Sequence, residues 1–299
     1  MLTLSVIFAR AFNRRFRVVG DKHPFYAKLY ANRYRWLQLN NLKVSPRILR
    51  TIVQKRQLVD NFELSYNKQL AVIIPLRNRD AHLKQLIPCL QEKLQSEGMP
   101  YSIFVAEQCD RQLFNRGRLM NAAVELAGDT FDYYCFHDVD LLPTDCTYGH
   151  PSVPLRLYAK IMANGDERKV SSIGFGGIVS VPRKDFIAAN GFSNNFWHWG
   201  KEDDNFLLRL LLTGHNPMID TKGRFTEIDN SSNRYKVFFE GVLLEDEAKG
   251  KAYTERNKKY QYRVARGLIP PVDEGLSTIN YELLDKTENA DYTHFRIKL

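Results

Sequence analysis

Cysteine is scarce in this chain, and none of its four cysteines (Cys89, Cys109, Cys135, Cys146) belongs to a CxxC pair. That spacing excludes a zinc ribbon and a dense disulfide framework, and it points to a reducing cytoplasm. Long apolar runs are lacking too. Met1–Ala9 is apolar for fewer than ten residues, short of the roughly 20 a bilayer-spanning helix needs, and it has no basic lead of the signal-peptide kind. The expectation is a cytoplasmic chain with no membrane span. Acid is in deficit: 34 Asp and Glu against 43 Lys and Arg leave a net charge of +9. Such an excess suits nucleic acid, an anionic membrane surface or an acidic substrate. Arg10, Arg14, Arg15, Arg17, Lys22, Lys28, Arg33 and Arg35 all precede residue 36, which argues for a surface contact outside any active site.

What is present is ample for a folded core: 299 residues, 26% charged and 12% aromatic. Residues 1–68 read as a basic helical segment, either packed on the core or lying, through residues 1–35, on anionic lipid at the inner face of a membrane. From residue 69 to 299 the pattern becomes α/β. Leu70–Pro75, Tyr101–Ala106, Tyr133–His137 and Ser171–Val181 are expected as strands, and Ala81–Leu94, Arg116–Leu126 and Asn205–Leu212 as helices. Residues 229–259 are polar and read as a flexible loop, followed by strands over Thr278–Leu284 and Tyr292–Leu299.

Four clusters carry candidate chemistry. Asp138 and Asp140, at i and i+2 after a hydrophobic strand, project to one side and can hold a divalent cation against a diphosphate, although turns contain many such pairs. Arg77 and Arg79 follow the first strand, where guanidinium forks match phosphate, or are simply solvated loop charges. Phe114-Asn115-Arg116 opens a helix, a second anion-favouring position. The stretch Phe192 to Asn205 offers Trp197 and Trp199 as flat stacking faces, Gly200 as a turn, and Glu202, Asp203 and Asp204 as acceptors, a general base, or merely acidic residues opening a helix.

In this order the motifs resemble those of the beta-1,4-galactosyltransferase family, whose members are metal-dependent inverting glycosyltransferases of the GT-A fold. The resemblance runs through Ala71-Val72-Ile73-Ile74-Pro75-Leu76-Arg77-Asn78-Arg79, Phe114-Asn115-Arg116 and His137-Asp138-Val139-Asp140-Leu141-Leu142-Pro143. It continues through Phe175-Gly176-Gly177, Asn190 to Asp204 and Glu274-Gly275-Leu276-Ser277-Thr278, covering about residues 69–299. It is nearest to the branch that adds galactose to xylose, and suggests a bacterial, non-Golgi relative. The implied fold is α/β, a mixed Rossmann-like sheet flanked by helices. By the resemblance, Pro75, Arg77, Arg79, Phe114, Arg116, Asp138, Val139, Gly176, Gly177 and Trp199 bind the UDP-sugar. Asp140 ligates Mn²⁺ or Mg²⁺, Asp203 is the catalytic base with Glu202 beside it, and Trp197, Gly200, Glu202, Asp203, Tyr260 and Arg263 meet the acceptor.

The sequence departs from the family in three places. Where the family has a metal-binding histidine, this chain reads Gly223 to Asn230 without one, leaving Glu227, Asn230 or His215 as further ligands. Gly174 replaces a larger residue beside the donor sugar, which suits N-acetylgalactosamine as well as galactose. Tyr260–Arg266 is basic and aromatic, which suits an anionic glycan acceptor or is a solvated helix face. The expected function is transfer of a hexose from a UDP-sugar to a glycan, in capsule or lipopolysaccharide synthesis. The alternatives are a catalytically weakened glycan-binding relative and a metal-dependent nucleic-acid-processing protein. Against the last, the acidic run Glu202–Asp204 occupies the expected groove, so no nucleic acid is expected there.

Overall fold

The computed structural model describes residues 58–59, 61–169, 175–228, 237–239, 242–245, 247–265, 268–269 and 272–299. The expectations for residues 1–57, and for Gly174, Asn230 and Arg266, lie outside the described residues. In chain order the strands are β1 (Leu58–Val59), β2 (Leu64–Ser65), β3 (Leu70–Leu76), β4 (Tyr101–Gln108), β5 (Tyr133–Phe136), β6 (Leu141–Asp145), β7 (His150–Pro151), β8 (Leu155–Arg156), β9 (Lys160–Ala163) and β10 (Asp166–Lys169). They continue with β11 (Val179–Pro182), β12 (Met218–Asp220), β13 (Arg224–Glu227), β14 (Val237–Phe239), β15 (Val242–Glu245), β16 (Glu282–Glu288) and β17 (Thr293–Lys298). The helices are α1 (Asp80–Glu97), α2 (Arg116–Ala127), α3 (Arg183–Ala188), α4 (Glu202–Leu212) and α5 (Glu247–Ala265).

β3 is the axis of the fold because its sequence, Leu-Ala-Val-Ile-Ile-Pro-Leu, is apolar at every position and every residue is buried. Such a strand needs cover on both faces. Leu70, Val72, Ile74 and Leu76 pack with Leu83, Leu86 and Leu90 of α1 in one cluster, whereas Ala71 and Ile73 face Leu119, Met120 and Ala123 of α2 in another. Around it the described residues form a mixed sheet in the order β1-β12-β8-β11-β5-β3-β4-β17-β16, with β3 parallel to β4 and β5. A smaller sheet, β10-β9-β13-β6, lies beyond the ends of β5 and carries the chain after Asp140. Residues ahead of 69 already take part, since β1 pairs with β12 and β2 with β7. No helix among the described residues is long and apolar enough to cross a membrane.

Three expectations change. The stretch read as a loop over 229–259 contains β14, β15 and most of the nineteen-residue helix α5. Its inward face, Gly250, Asn257 and Val264 with Tyr253, Thr254, Tyr260 and Gln261 half-buried, has helical spacing but mostly polar or small side chains, so no apolar periodicity announced it. Of the strand expected over Ser171–Val181, residues 171–174 lie outside the described residues, Phe175–Ile178 around Gly177 is irregular, and the strand is present from Val179. The strand expected over Thr278–Leu284 is displaced to Glu282–Glu288, because Leu276–Thr278 forms a short 3₁₀ turn first.

That turn is anchored by charge. Arg209 of α4 is 1% exposed; its Nη1 donates to the Glu274 carbonyl at 2.6 Å, its Nη2 pairs with the Glu274 carboxylate, and its Nε donates to Asn205 Oδ1 at 2.8 Å. Glu274 in turn accepts from the backbone of Asn194 at 2.6 Å, joining α4, the 272–278 segment and the loop before α4. Removing the carboxylate strands a buried guanidinium. Glu274→Ala is expected to lower unfolding free energy by about 3 kcal/mol, with Arg209→Met recovering part of the loss in the double variant, as read by denaturant titration.

Candidate active site

The candidate residues converge where β3 and β5 end and α2 and α4 begin. Pro75 is buried in β3 opposite Ala106 of β4. Arg77 is buried and pins the loop after β4: its Nη1 donates to the Gln112 carbonyl at 2.6 Å and its Nη2 to the Asp110 carbonyl. Burial pulls its pKa below the ordinary value, against the nearby Asp110 carboxylate. Arg79 precedes α1, close enough to Asp140 to lower that carboxyl's pKa.

α2 is started by Asn115, which accepts from the Arg118 amide at 3.0 Å and donates to the Asn194 carbonyl at 2.8 Å. The cap aims Arg116 across the strand ends. Its guanidinium meets Asp138 Oδ1 at 2.6 Å, the Gly177 carbonyl at 3.3 Å and Glu202 Oε1 at 4.0 Å. Burial alone disfavours the charged guanidinium, but Asp138 and Glu202 outweigh it and leave the pKa above its ordinary value.

The carboxylates respond in the opposite sense. Burial, with Asp138 beside it and Glu227 nearby, pushes Asp140 up to about 6, against Arg79. Burial, followed by the Asp203 charge, pushes Glu202 up to about 7, with Arg116 opposing. Glu202 is 13% exposed, and its Oε2 has no hydrogen-bond partner among the described residues. His137, inside the same motif, is wholly buried between the Asp138 carbonyl and the Tyr148 hydroxyl, each at 2.9 Å. Burial holds it near 4, so it is neutral and structural. Val139 is buried between the two aspartates.

The aromatic stretch is held by backbone contacts. Asn121 of α2 donates to the Phe192 carbonyl at 2.8 Å and accepts from its amide at 2.9 Å. The His198 amide donates to the Phe114 carbonyl at 2.7 Å, tying this loop to the start of α2. Asn257 of α5 donates to the Trp197 carbonyl at 2.9 Å, and Thr254 to that of Trp199 at 3.3 Å. Trp197 is half-buried with Arg118 5.8 Å above its ring, whereas Trp199 stands 51% exposed. Gly200 (φ 104°) and Lys201 (φ 80°) turn the chain into α4, whose first turn presents Glu202, Asp203 and Asp204; Lys201 Nζ lies 2.5 Å from Asp204. A Cβ at Gly176 would lie 2.8 Å from Asp203 Oδ2, so the absence of a side chain there is what lets Asp203 sit against the glycine pair.

Other candidates stand apart. Tyr260 on α5 accepts from Asn195 at 3.1 Å and meets Phe196 edge-on, with ring centroids 5.2 Å apart. Arg263 is exposed on the same helix. Glu227 is paired with Arg168 at 3.0 Å, although the Asp140 carbonyl accepts from its neighbour Ile228 at 2.8 Å. His215 lies 3.2 Å from Asp185 of α3. Among the described residues no three His, Cys, Asp or Glu side chains converge as a metal cage. Asn121, Asn257, Arg156 and Tyr158 at or behind the site were not singled out by the sequence, since none belongs to a charged or repeated pattern.

Comparison with known proteins bears on the family and the fold. The profile of the N-terminal region of glycosyl transferase group 7 matches residues 42–149, and that of the N-terminal domain of galactosyltransferase matches residues 159–239. The chain is 31% identical over 234 residues to beta-1,4-galactosyltransferase 4 of Cricetulus griseus, covering 77% of this chain and 63% of that protein. It is 36% identical over 177 residues to beta-1,4-galactosyltransferase 7 of Drosophila melanogaster, covering 56% and 54%. It thus spans less than two thirds of these relatives' length. The catalytic domain of the Drosophila enzyme, solved with xylobiose, superposes with a TM-score of 0.62 at 29% identity, covering 78% of this chain and 94% of that one. A mutant of it, solved with manganese, UDP-Gal and xylobiose, gives 0.61. The fold is the expected GT-A type.

Glu202 gives the site a pH signature. With its carboxyl raised to about 7 from an ordinary 4.5, the native state keeps a proton that the unfolded chain has released, so stability falls as pH rises through that window. Glu202→Gln mimics the protonated form. At pH 8 the variant is expected to exceed the wild type in unfolding free energy by up to roughly 3 kcal/mol, with the gap closing toward pH 4.5, as measured by denaturant titration at both values.

Proposed function

Because the chain belongs to the beta-1,4-galactosyltransferase family, we propose that it is an inverting glycosyltransferase. In this reading it moves a hexose, galactose or N-acetylgalactosamine, from a UDP-sugar to a hydroxyl of a glycan. The observation that carries the proposal is the gathering of Arg116, Asp138, Asp140, Glu202 and Asp203 at the strand ends, a few residues after the exposed Trp199. Membership of this family favours this reading over the nucleic-acid one.

Asp203 is proposed as the base that takes the proton from the attacking hydroxyl. Its place against Gly176 and beside Glu202 supports this, as does the exposed Trp199 four residues earlier. Glu202 is proposed to hold the acceptor sugar, and Asp138, kept in place by Arg116, to hold the donor sugar. Phe114, Arg79 and the loop fixed by Arg77 would line the nucleotide side. Asp140 suits a divalent cation: it is a half-buried carboxylate disfavoured by two further carboxylates, and Mg²⁺ or Mn²⁺ is commonly held by one or two carboxylates together with phosphate oxygens. Asp140 would hold such an ion, with Glu227 as a further carboxylate in reach of its charge, and the ion would supply charge neutralisation for a departing diphosphate.

For the acceptor, the exposed Lys251, Arg256, Lys259 and Arg263 of α5 favour an acidic glycan, such as one bearing uronic acid or phosphate, at the edge of the Trp199 surface. Together with the basic segment 1–35, this supports a place at an anionic membrane where capsule or lipopolysaccharide is built. Full-length protein is expected to float with vesicles containing anionic lipid and not with neutral ones; equal recovery with both retires the membrane contact.

UDP release from UDP-galactose and UDP-N-acetylgalactosamine, with neutral and acidic glycoside acceptors, tests the activity. Turnover is expected with Mn²⁺ and is lost on chelation. Asp203→Asn is expected to lower kcat by about 10²- to 10⁴-fold while donor affinity by calorimetry is kept. UDP binding without turnover on any pair points to a glycan-binding relative; neither binding nor turnover sinks the enzyme.

A further inference from the structure

The two glycines at the heart of the site have different neighbours. Gly176 abuts Asp203, while the Tyr158 hydroxyl lies 1.8 Å from where a Cβ of Gly177 would be. Tyr158 follows β8 and is only 4% exposed. Its ring is fixed from two sides: Phe225 meets it edge-on with centroids 5.4 Å apart, and the Arg156 guanidinium lies 5.5 Å over it while Arg156 Nε donates to the Tyr158 carbonyl at 2.9 Å. A buried phenol ordinarily finds a partner for its hydroxyl. Tyr133 donates to the Tyr148 carbonyl at 2.8 Å, and the Tyr148 hydroxyl meets His137. The Tyr158 hydroxyl has none among the described residues, yet it lies close enough to Asp138, Arg116 and Asp140 to feel their charges. It is rigidly presented, has no hydrogen bond to another described residue, and is separated from the proposed base by the width of the glycine pair.

We propose that the Tyr158 hydroxyl hydrogen-bonds the sugar moiety of the nucleotide-sugar donor and is a specificity-determining residue for it, an inference that rests on the glycosyltransferase reading above. A neutral hydroxyl beside two aspartates is matched to another hydroxyl, which can donate onward to a carboxylate, whereas a diphosphate is matched by guanidinium forks. Gly177 is the condition for the contact: any side chain there would occupy the hydroxyl's position. The residue lies 45 positions ahead of Asp203 in a segment with no motif, which is why sequence pattern does not mark it.

Tyr158→Phe removes one oxygen and keeps the ring. With Mn²⁺ present, calorimetry is expected to show UDP affinity unchanged and UDP-galactose affinity weakened roughly 2- to 13-fold, the range of one neutral hydrogen bond. KM for the donor should rise while KM for the acceptor does not, at an unchanged melting temperature. A set of deoxy analogues of UDP-galactose closes the cycle: one analogue should bind wild type more weakly than UDP-galactose does and bind the Phe variant no more weakly. UDP and UDP-galactose weakened alike, or neither weakened, overturns the inference while leaving the glycosyltransferase reading intact. A wild-type protein that binds neither overturns both.

Discussion

Arg116 is the charge on which the site depends. A helix start, an aspartate pair and an acidic first turn are brought within a few ångströms of one another, and carboxylates so placed repel unless a cation sits among them. The guanidinium of Arg116 reaches Asp138 at 2.6 Å and Glu202 at 4.0 Å, from a position fixed by the Asn115 cap. The compensation is unequal. Asp138 takes the close contact, while Glu202 and Asp140 remain raised toward neutrality. A site in this condition is short of positive charge, and a divalent cation with its nucleotide would be drawn to that shortage.

The rest of the fold serves to hold these groups at fixed distance. β3 supplies a wholly apolar strand that can be covered only from both sides, and this puts α1 on one face and α2 on the other. The loop before α4 is then fastened to α2 by Asn121 and to the 272–278 segment by the Arg209–Glu274 pair. Close approaches at Gly117, against the Ser193 carbonyl, and at Gly191, against Asn121, show how little room the arrangement leaves.

Much of this was legible in the sequence because it rests on strong local signals. The run Leu70 to Leu76, the acidic pair after an apolar strand, and the Trp-Gly-acid stretch each announce themselves by composition, and their order identified the fold. Arg77 reads from the sequence as a phosphate contact, but in the fold its fork is occupied by the carbonyls of Asp110 and Gln112, partners that no spacing reveals. α5 was misread because its buried stripe is Gly250, Asn257 and Val264, so the helix is held by backbone-directed polar contacts where periodicity looks for apolar ones. Tyr158 was invisible for another reason. Its significance comes from an absence of side chain at Gly177, which lies on a different part of the chain.

The manner in which α5 grips the aromatic loop separates two properties that are usually linked. Asn257 and Thr254 bind the carbonyls of residues 197 and 199, which every amino acid possesses. This part of the loop's anchorage therefore does not depend on which side chains stand at those two positions. A surface built on that principle can exchange one stacking residue for another, and with it one sugar for another, while the scaffold beneath stays the same.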